Sequence, residues 1–82
     1  MAESNEILHK IIERAAGLLK VDPGTYDSTT RFTEDLKFKS VNYVQIISVL
    51  EEEYDITIPF MDFRRKKTLG EAAEFVSAIS EQ

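Results

Sequence analysis

The sequence contains no cysteine and only one histidine, His9. Without cysteine there is neither a disulfide framework nor an intrinsic thiol nucleophile, and a single histidine cannot build a proton relay or the usual zinc clusters. No apolar run approaches the roughly 18 residues that a membrane span needs. The opening Met1-Ala2-Glu3-Ser4-Asn5-Glu6 is too acidic for a secretory signal. There is also no Gly-rich phosphate loop, internal repeat, low-complexity tract or linker that divides the chain. Basic residues number 10 against 15 acids, for a net charge of −5. That balance argues against a nucleic-acid binder, whose affinity depends on many Lys and Arg displacing counterions from phosphates. The setting expected from these absences is a reducing, cytoplasmic one. The 82 residues make one domain, 1–82, with too little material for a deep enzyme cleft and its scaffold.

What is present is helical. Ile7, Leu8, Ile11, Ile12, Ala15, Leu18 and Leu19 recur at three- and four-residue steps, which predicts a first helix over 4–20 with Ser4 as its cap. Val21-Asp22-Pro23-Gly24 stops it, because proline cannot continue the ladder. Residues 25–39 form a long polar loop anchored by Phe32, Leu36 and Phe38. A second helix, 40–54, turns Tyr43, Ile47, Leu50 and Tyr54 to the core. Val41, Val44, Gln45, Ser48, Glu51 and Glu52 fall on its opposite side. Ile56-Thr57-Ile58-Pro59 is an extended link, and 60–67 has room for one short helical turn. Thr68-Leu69-Gly70-Glu71 reads as a capping box opening a last helix that carries Leu69, Ala72, Ala73, Val76 and Ile79 on one face. The expected architecture is all-α, a small four-helix bundle of three main helices and one short one.

Charge is uneven along the chain. The residues before Arg64 hold six cations and 12 acids, whereas Arg64-Arg65-Lys66-Lys67 is a run of four cations. Taken alone, such a run is a solvated or partner-facing patch. The continuous Glu51-Glu52-Glu53 points in different directions around a helix, so it cannot form one metal cage and reads as a solvated face. His9 stands beside core positions and has a structural or solvated role. Ser40 has two readings that spacing does not separate. A serine at a helix start caps it. The same place also suits an attached anion, because free N–H groups and the helix dipole stabilise a phosphate there.

Phe32-Thr33-Glu34-Asp35-Leu36, then Ser40, then Leu50-Glu51-Glu52-Glu53-Tyr54 followed by Ile56-Thr57-Ile58-Pro59, resembles the acyl carrier protein family at matching spacings. There an F-x-E-D-L segment precedes a D-S-L motif, whose serine opens a helix ending in L-E-E-E-F before an extended segment with I-P. The first and last helices match in place too, so the likeness covers nearly the whole chain. The resemblance implies a non-catalytic carrier. A phosphopantetheinyl transferase moves 4′-phosphopantetheine from coenzyme A onto Ser40, and the arm's thiol holds acyl groups as thioesters for acyl-loading and acyl-transferring enzymes. It further implies a monomer with neither membrane nor nucleic-acid partners.

The sequence departs from the family pattern around the serine. Lys39 replaces the Asp, Val41 the Leu, and Lys37 stands where the family has Gly; Asn42 and Gln45 replace acids. Lys37 and Lys39 become candidate contacts for the arm's phosphate. Val41, Val44, Gln45, Ser48, Glu51 and Glu52 are the candidate partner-binding face. These departures point to a specialised fatty-acyl, envelope-lipid or secondary-metabolite pathway. The alternative is a carrier-like scaffold that binds partner proteins without ever receiving the arm.

Overall fold

The first helix begins one residue earlier in its capping scheme than the sequence suggests. Glu3 is the extended N-cap and Ser4 is already helical, with no side-chain capping bond at this end. The computed structural model describes residues 3–81. Four α-helices follow in chain order: α1 (Ser4–Leu19), α2 (Ser40–Tyr54), α3 (Phe60–Arg64) and α4 (Leu69–Ser80). A single 3-10 turn, Pro23–Thr25, lies between α1 and α2. The bundle expected from periodicity is what forms.

Termination of α1 comes from Lys20 rather than from the proline. Lys20 adopts the left-handed conformation (φ 59°), and Val21 N–H donates back to Ala16 O. Pro23 and Gly24 then form the 3-10 turn, capped by the Asp22 carboxylate, which accepts from Gly24 N–H at 2.8 Å. At the start of α4 the Thr68 hydroxyl accepts from Glu71 N–H as expected, but Glu71 reaches one residue further back, to Lys67 N–H.

α1 packs against α4 and α2, and α3 lies against α2. The buried side chains form one cluster in which Ile7, Ile11, Tyr43, Ile46, Leu50, Phe63, Leu69 and Val76 are all but inaccessible. Ile46 was not among the residues assigned to the core face of α2, whereas Tyr54 is only half-buried. The Tyr54 hydroxyl itself is buried with no hydrogen-bond partner among the described residues. Burial, reinforced by the nearby Glu6 and Glu53 carboxylates, pushes its pKa up to about 12.

The long loop is stitched to the opening of α4. Phe32 N–H donates to Lys67 O at 3.1 Å, Leu69 N–H to Thr30 O at 2.9 Å, and Gly70 N–H to Ser28 O at 2.9 Å. Arg31 and Thr68 thereby form an isolated antiparallel bridge. Gly70 makes this approach possible: a Cβ on it would lie 2.9 Å from Ser28 O and 3.0 Å from Ser28 Cβ. No described helix is long and apolar enough to cross a membrane.

Candidate functional site at the start of the second helix

The segment before Ser40 is a closed turn. Asp35 and Leu36 N–H both donate to Arg31 O at 3.1 Å, and the Asp35 carboxylate folds back to accept from Arg31 N–H at 2.8 Å. The Arg31 guanidinium in turn holds Glu34 at 2.7 Å and Asp35 at 3.4 Å. The backbone bond from Arg31 is the main reason that the Asp35 pKa lies below the usual carboxylate range. Two acids of the F-T-E-D-L segment are therefore occupied in shaping the loop.

Lys37 then takes the left-handed conformation (φ 57°), a backbone state in which glycine carries no Cβ penalty. The turn sends Phe38 inward, its N–H donating to Phe32 O at 3.0 Å, and leaves Lys39 and Ser40 outside. Phe32 is the hub of the floor beneath them. Its ring centroid lies 5.5 Å from Phe38, 5.2 Å from Tyr43 and 5.8 Å from Phe63. Tilted rings at such distances pack well and rigidly.

Ser40 is not the cap of α2. Lys39 is the N-cap residue, and its N–H is taken by the Asn42 side-chain oxygen at 2.9 Å. Asn42 thus supplies the side-chain bond at this end, and the Ser40 hydroxyl, exposed on the first helical residue, has no hydrogen-bond partner among the described residues. The first turn of α2 contains no acid. Its positive dipole end is uncompensated and is augmented by the exposed Lys39 and Lys37. An exposed hydroxyl at a helix N-terminus, with no acid in the first turn and lysines one and three residues earlier in the chain, is compatible in charge with an attached anion.

The outward face of α2 divides into parts. Val41 and Val44 are 58% and 48% exposed, and Ser48 and Glu52 are also exposed. Gln45 and Glu51 are only half-exposed. Glu51 turns its carboxylate to the Ile58 N–H at 2.7 Å, and Glu53 pairs with Lys10 of α1 at 3.2 Å, leaving Glu52 as the acid of this run without such a bond. The capping role of Asn42 and the exposure of Met61 are not read from the sequence. Asn42 could have been found from its position three residues after the extended Lys39. Met61, 57% exposed on α3, carried no such signal. His9 is exposed, and no described group of His, Asp or Glu is arranged to hold a metal.

Residues 9–76 match the family described as phosphopantetheine attachment site. The chain is 34% identical over 73 residues to an acyl carrier protein of Thermosynechococcus vestitus, covering 89% of this chain and 90% of that one. It is 32% identical over 76 residues to acyl carrier proteins of Rickettsia canadensis and Rickettsia typhi, covering 93% of this chain and 88% of each relative. The chain belongs to the acyl carrier protein family, whose members carry 4′-phosphopantetheine and are carriers rather than catalysts.

Proposed function

We propose that Ser40 is the attachment point of 4′-phosphopantetheine and that the protein delivers acyl intermediates to partner enzymes in a specialised fatty-acyl, envelope-lipid or secondary-metabolite pathway. The observation that carries this reading is the unengaged, exposed hydroxyl of Ser40 on the first residue of α2, with the capping bond made by Asn42 instead. On that reading the Ser40 oxygen forms a new P–O bond to the pantetheine-side phosphorus of coenzyme A. The pyrophosphate link breaks, adenosine 3′,5′-bisphosphate leaves, and the hydroxyl proton passes to the transferase. Lys39 and Lys37 contribute positive charge toward the resulting phosphodiester, and the N–H groups of the first turn face the same anion. When bound, the arm supplies a thiol that holds an acyl group as a thioester. The protein then acts as a single-domain, monomeric cytoplasmic carrier, with a phosphopantetheinyl transferase and acyl-loading and acyl-transferring enzymes as partners.

Lys39 and Asn42 also favour a second reading, in which the fold binds partner proteins without ever being modified. Intact mass after co-expression with a phosphopantetheinyl transferase separates the two. A single phosphopantetheine adduct, absent from Ser40→Ala, is expected; an unmodified wild-type chain, or an adduct persisting on the Ala variant, overturns the assignment.

A further inference from the structure

Three of the four large apolar side chains exposed among the described residues lie on two adjacent helices, α2 and α3. They are Val41, Val44 and Met61. The two helices meet through Tyr43 against Phe63, edge to face at 6.4 Å. The Arg64 guanidinium reaches from α3 to lie 5.9 Å from the Tyr43 ring centroid, which ties the basic run to the first turns of α2. Exposed apolar residues gathered in one place mark an interaction surface more often than scattered ones do.

The segments that carry these side chains are opposite in charge to the rest of the chain, with Glu52 farther along the outward face of α2 and Lys66 turned to the Phe75 ring of α4 at 4.8 Å. Residues 36–50 contain Lys37 and Lys39 and no acid, and residues 60–67 contain four cations against Asp62 alone. Asp62 is already shared with Arg65 at 4.0 Å, and Glu34 and Asp35 are paired with Arg31. The rest of the chain holds 14 acids and four cations. A basic-rimmed apolar patch on an otherwise acidic protein repels basic surfaces locally and attracts acidic ones.

We infer that the Val41–Val44–Met61 surface docks an acidic-rimmed apolar patch on a partner protein. Its occupant being an acyl-handling enzyme rests on the carrier reading above. The cations steer the encounter, and the two valines and Met61 supply the buried contact. The sign of the partner's charge is thereby specified: a basic enzyme surface meets Lys39 and Arg64 and is turned away.

The test uses the folded full-length Ser40→Ala protein, so that no arm takes part. Two synthetic amphipathic helical peptides serve as probes, one with a leucine stripe flanked by glutamates and one with lysines replacing those glutamates. Fluorescence anisotropy at low salt is expected to show the glutamate peptide binding about tenfold tighter, with the gap closing as salt is raised. Amide shifts are expected at Val41, Val44, Met61 and Arg64. Lys39→Glu with Arg64→Glu inverts the preference, and Val44→Ser with Met61→Ser weakens both peptides, each variant checked for native circular dichroism. Equal or tighter binding of the lysine peptide, binding that maps elsewhere, or no binding by either peptide overturns the inference. So does equally tight binding of duplex DNA or anionic vesicles, which makes the patch a general polyanion binder. An unmodified wild-type mass removes the carrier reading and leaves the peptide result standing; equal peptide affinities remove the polarity and leave the mass standing.

Discussion

The Glu51 carboxylate accepts a hydrogen bond from the backbone N–H of Ile58, seven residues later, at 2.7 Å. This bond closes the link between α2 and α3 and directs Ile58 into the core, where it is buried. An acid that reads as part of a solvated run is therefore a strut for the α3 side of the proposed docking surface.

Removing that strut leaves a partly buried N–H without an acceptor. Glu51→Ala should cost about 1–3 kcal/mol, and Glu51→Gln, which keeps an acceptor oxygen, should cost less. Glu52→Ala, at an exposed position, should change stability by under about 0.5 kcal/mol. Denaturant unfolding of the three variants checks the order.

Ser40→Ala should fold with nearly wild-type stability, within about 0.5 kcal/mol, because the hydroxyl makes no capping bond. Asn42→Ala removes the bond to Lys39 N–H and should cost about 0.5–2 kcal/mol. If the serine variant proves the less stable of the two by thermal melting, the capping scheme is wrong.

The two lysines bear on the modified form in different ways. Attachment of an anion at Ser40 relieves the repulsion between Lys39 and the positive end of α2, so the modified protein should melt slightly above the unmodified one, by about 0–1 kcal/mol at low salt. The gap should shrink with salt and vanish in Lys39→Asp. Lys37→Gly relieves left-handed strain and should stabilise the unmodified protein by about 0.5–1 kcal/mol after the entropy of glycine in the unfolded chain is subtracted. Paired melting curves of both forms at two salt concentrations test these expectations.

Stability should fall at both ends of the pH range, for different reasons. Asp27, held mainly by the Thr29 hydroxyl, and Asp35, held mainly by Arg31 N–H, both have folded pKa values below the ordinary one. Their contribution is present above the unfolded pKa of about 4 and is lost as pH falls through the folded value. Amide exchange at Arg31 and Thr29 should rise there, and Asp35→Asn should remove the dependence at Arg31. Tyr54 has the opposite sign. Its folded pKa of about 12 means that its contribution is complete below the unfolded value of about 10 and declines as pH rises toward 12. Ultraviolet titration should find Tyr54 ionising at about 12.

The helices were legible because hydrophobic spacing is a local signal. Tyr43, Ile47 and Leu50 share a face of α2 by arithmetic alone, and all three are buried. Ile46 escaped because α2 is covered by α1, α3 and the loop, so its apolar face is wider than one stripe. Hydrogen-bond assignments were less legible, since several donors and acceptors compete within a few residues. Ser4 and Ser40 have the right chemistry for caps, yet the helices begin at them rather than after them, and Asn42 takes the bond at the second site. Met61 and the seam around Tyr43 depend on where α3 docks, and no local pattern encodes that.

The bridge between Arg31 and Thr68 makes the corner before Ser40, the proposed attachment point, a shared product of distant parts of the chain. A fragment ending before residue 67 retains Ser40, both lysines and the whole F-T-E-D-L turn, yet lacks the carbonyl and amide groups that hold the turn in place. A transferase offered this fragment meets the right letters on an unfastened corner. Minimal tags cut from this protein should therefore be modified far more slowly than the full chain, and adding back residues 67–81 should restore the rate.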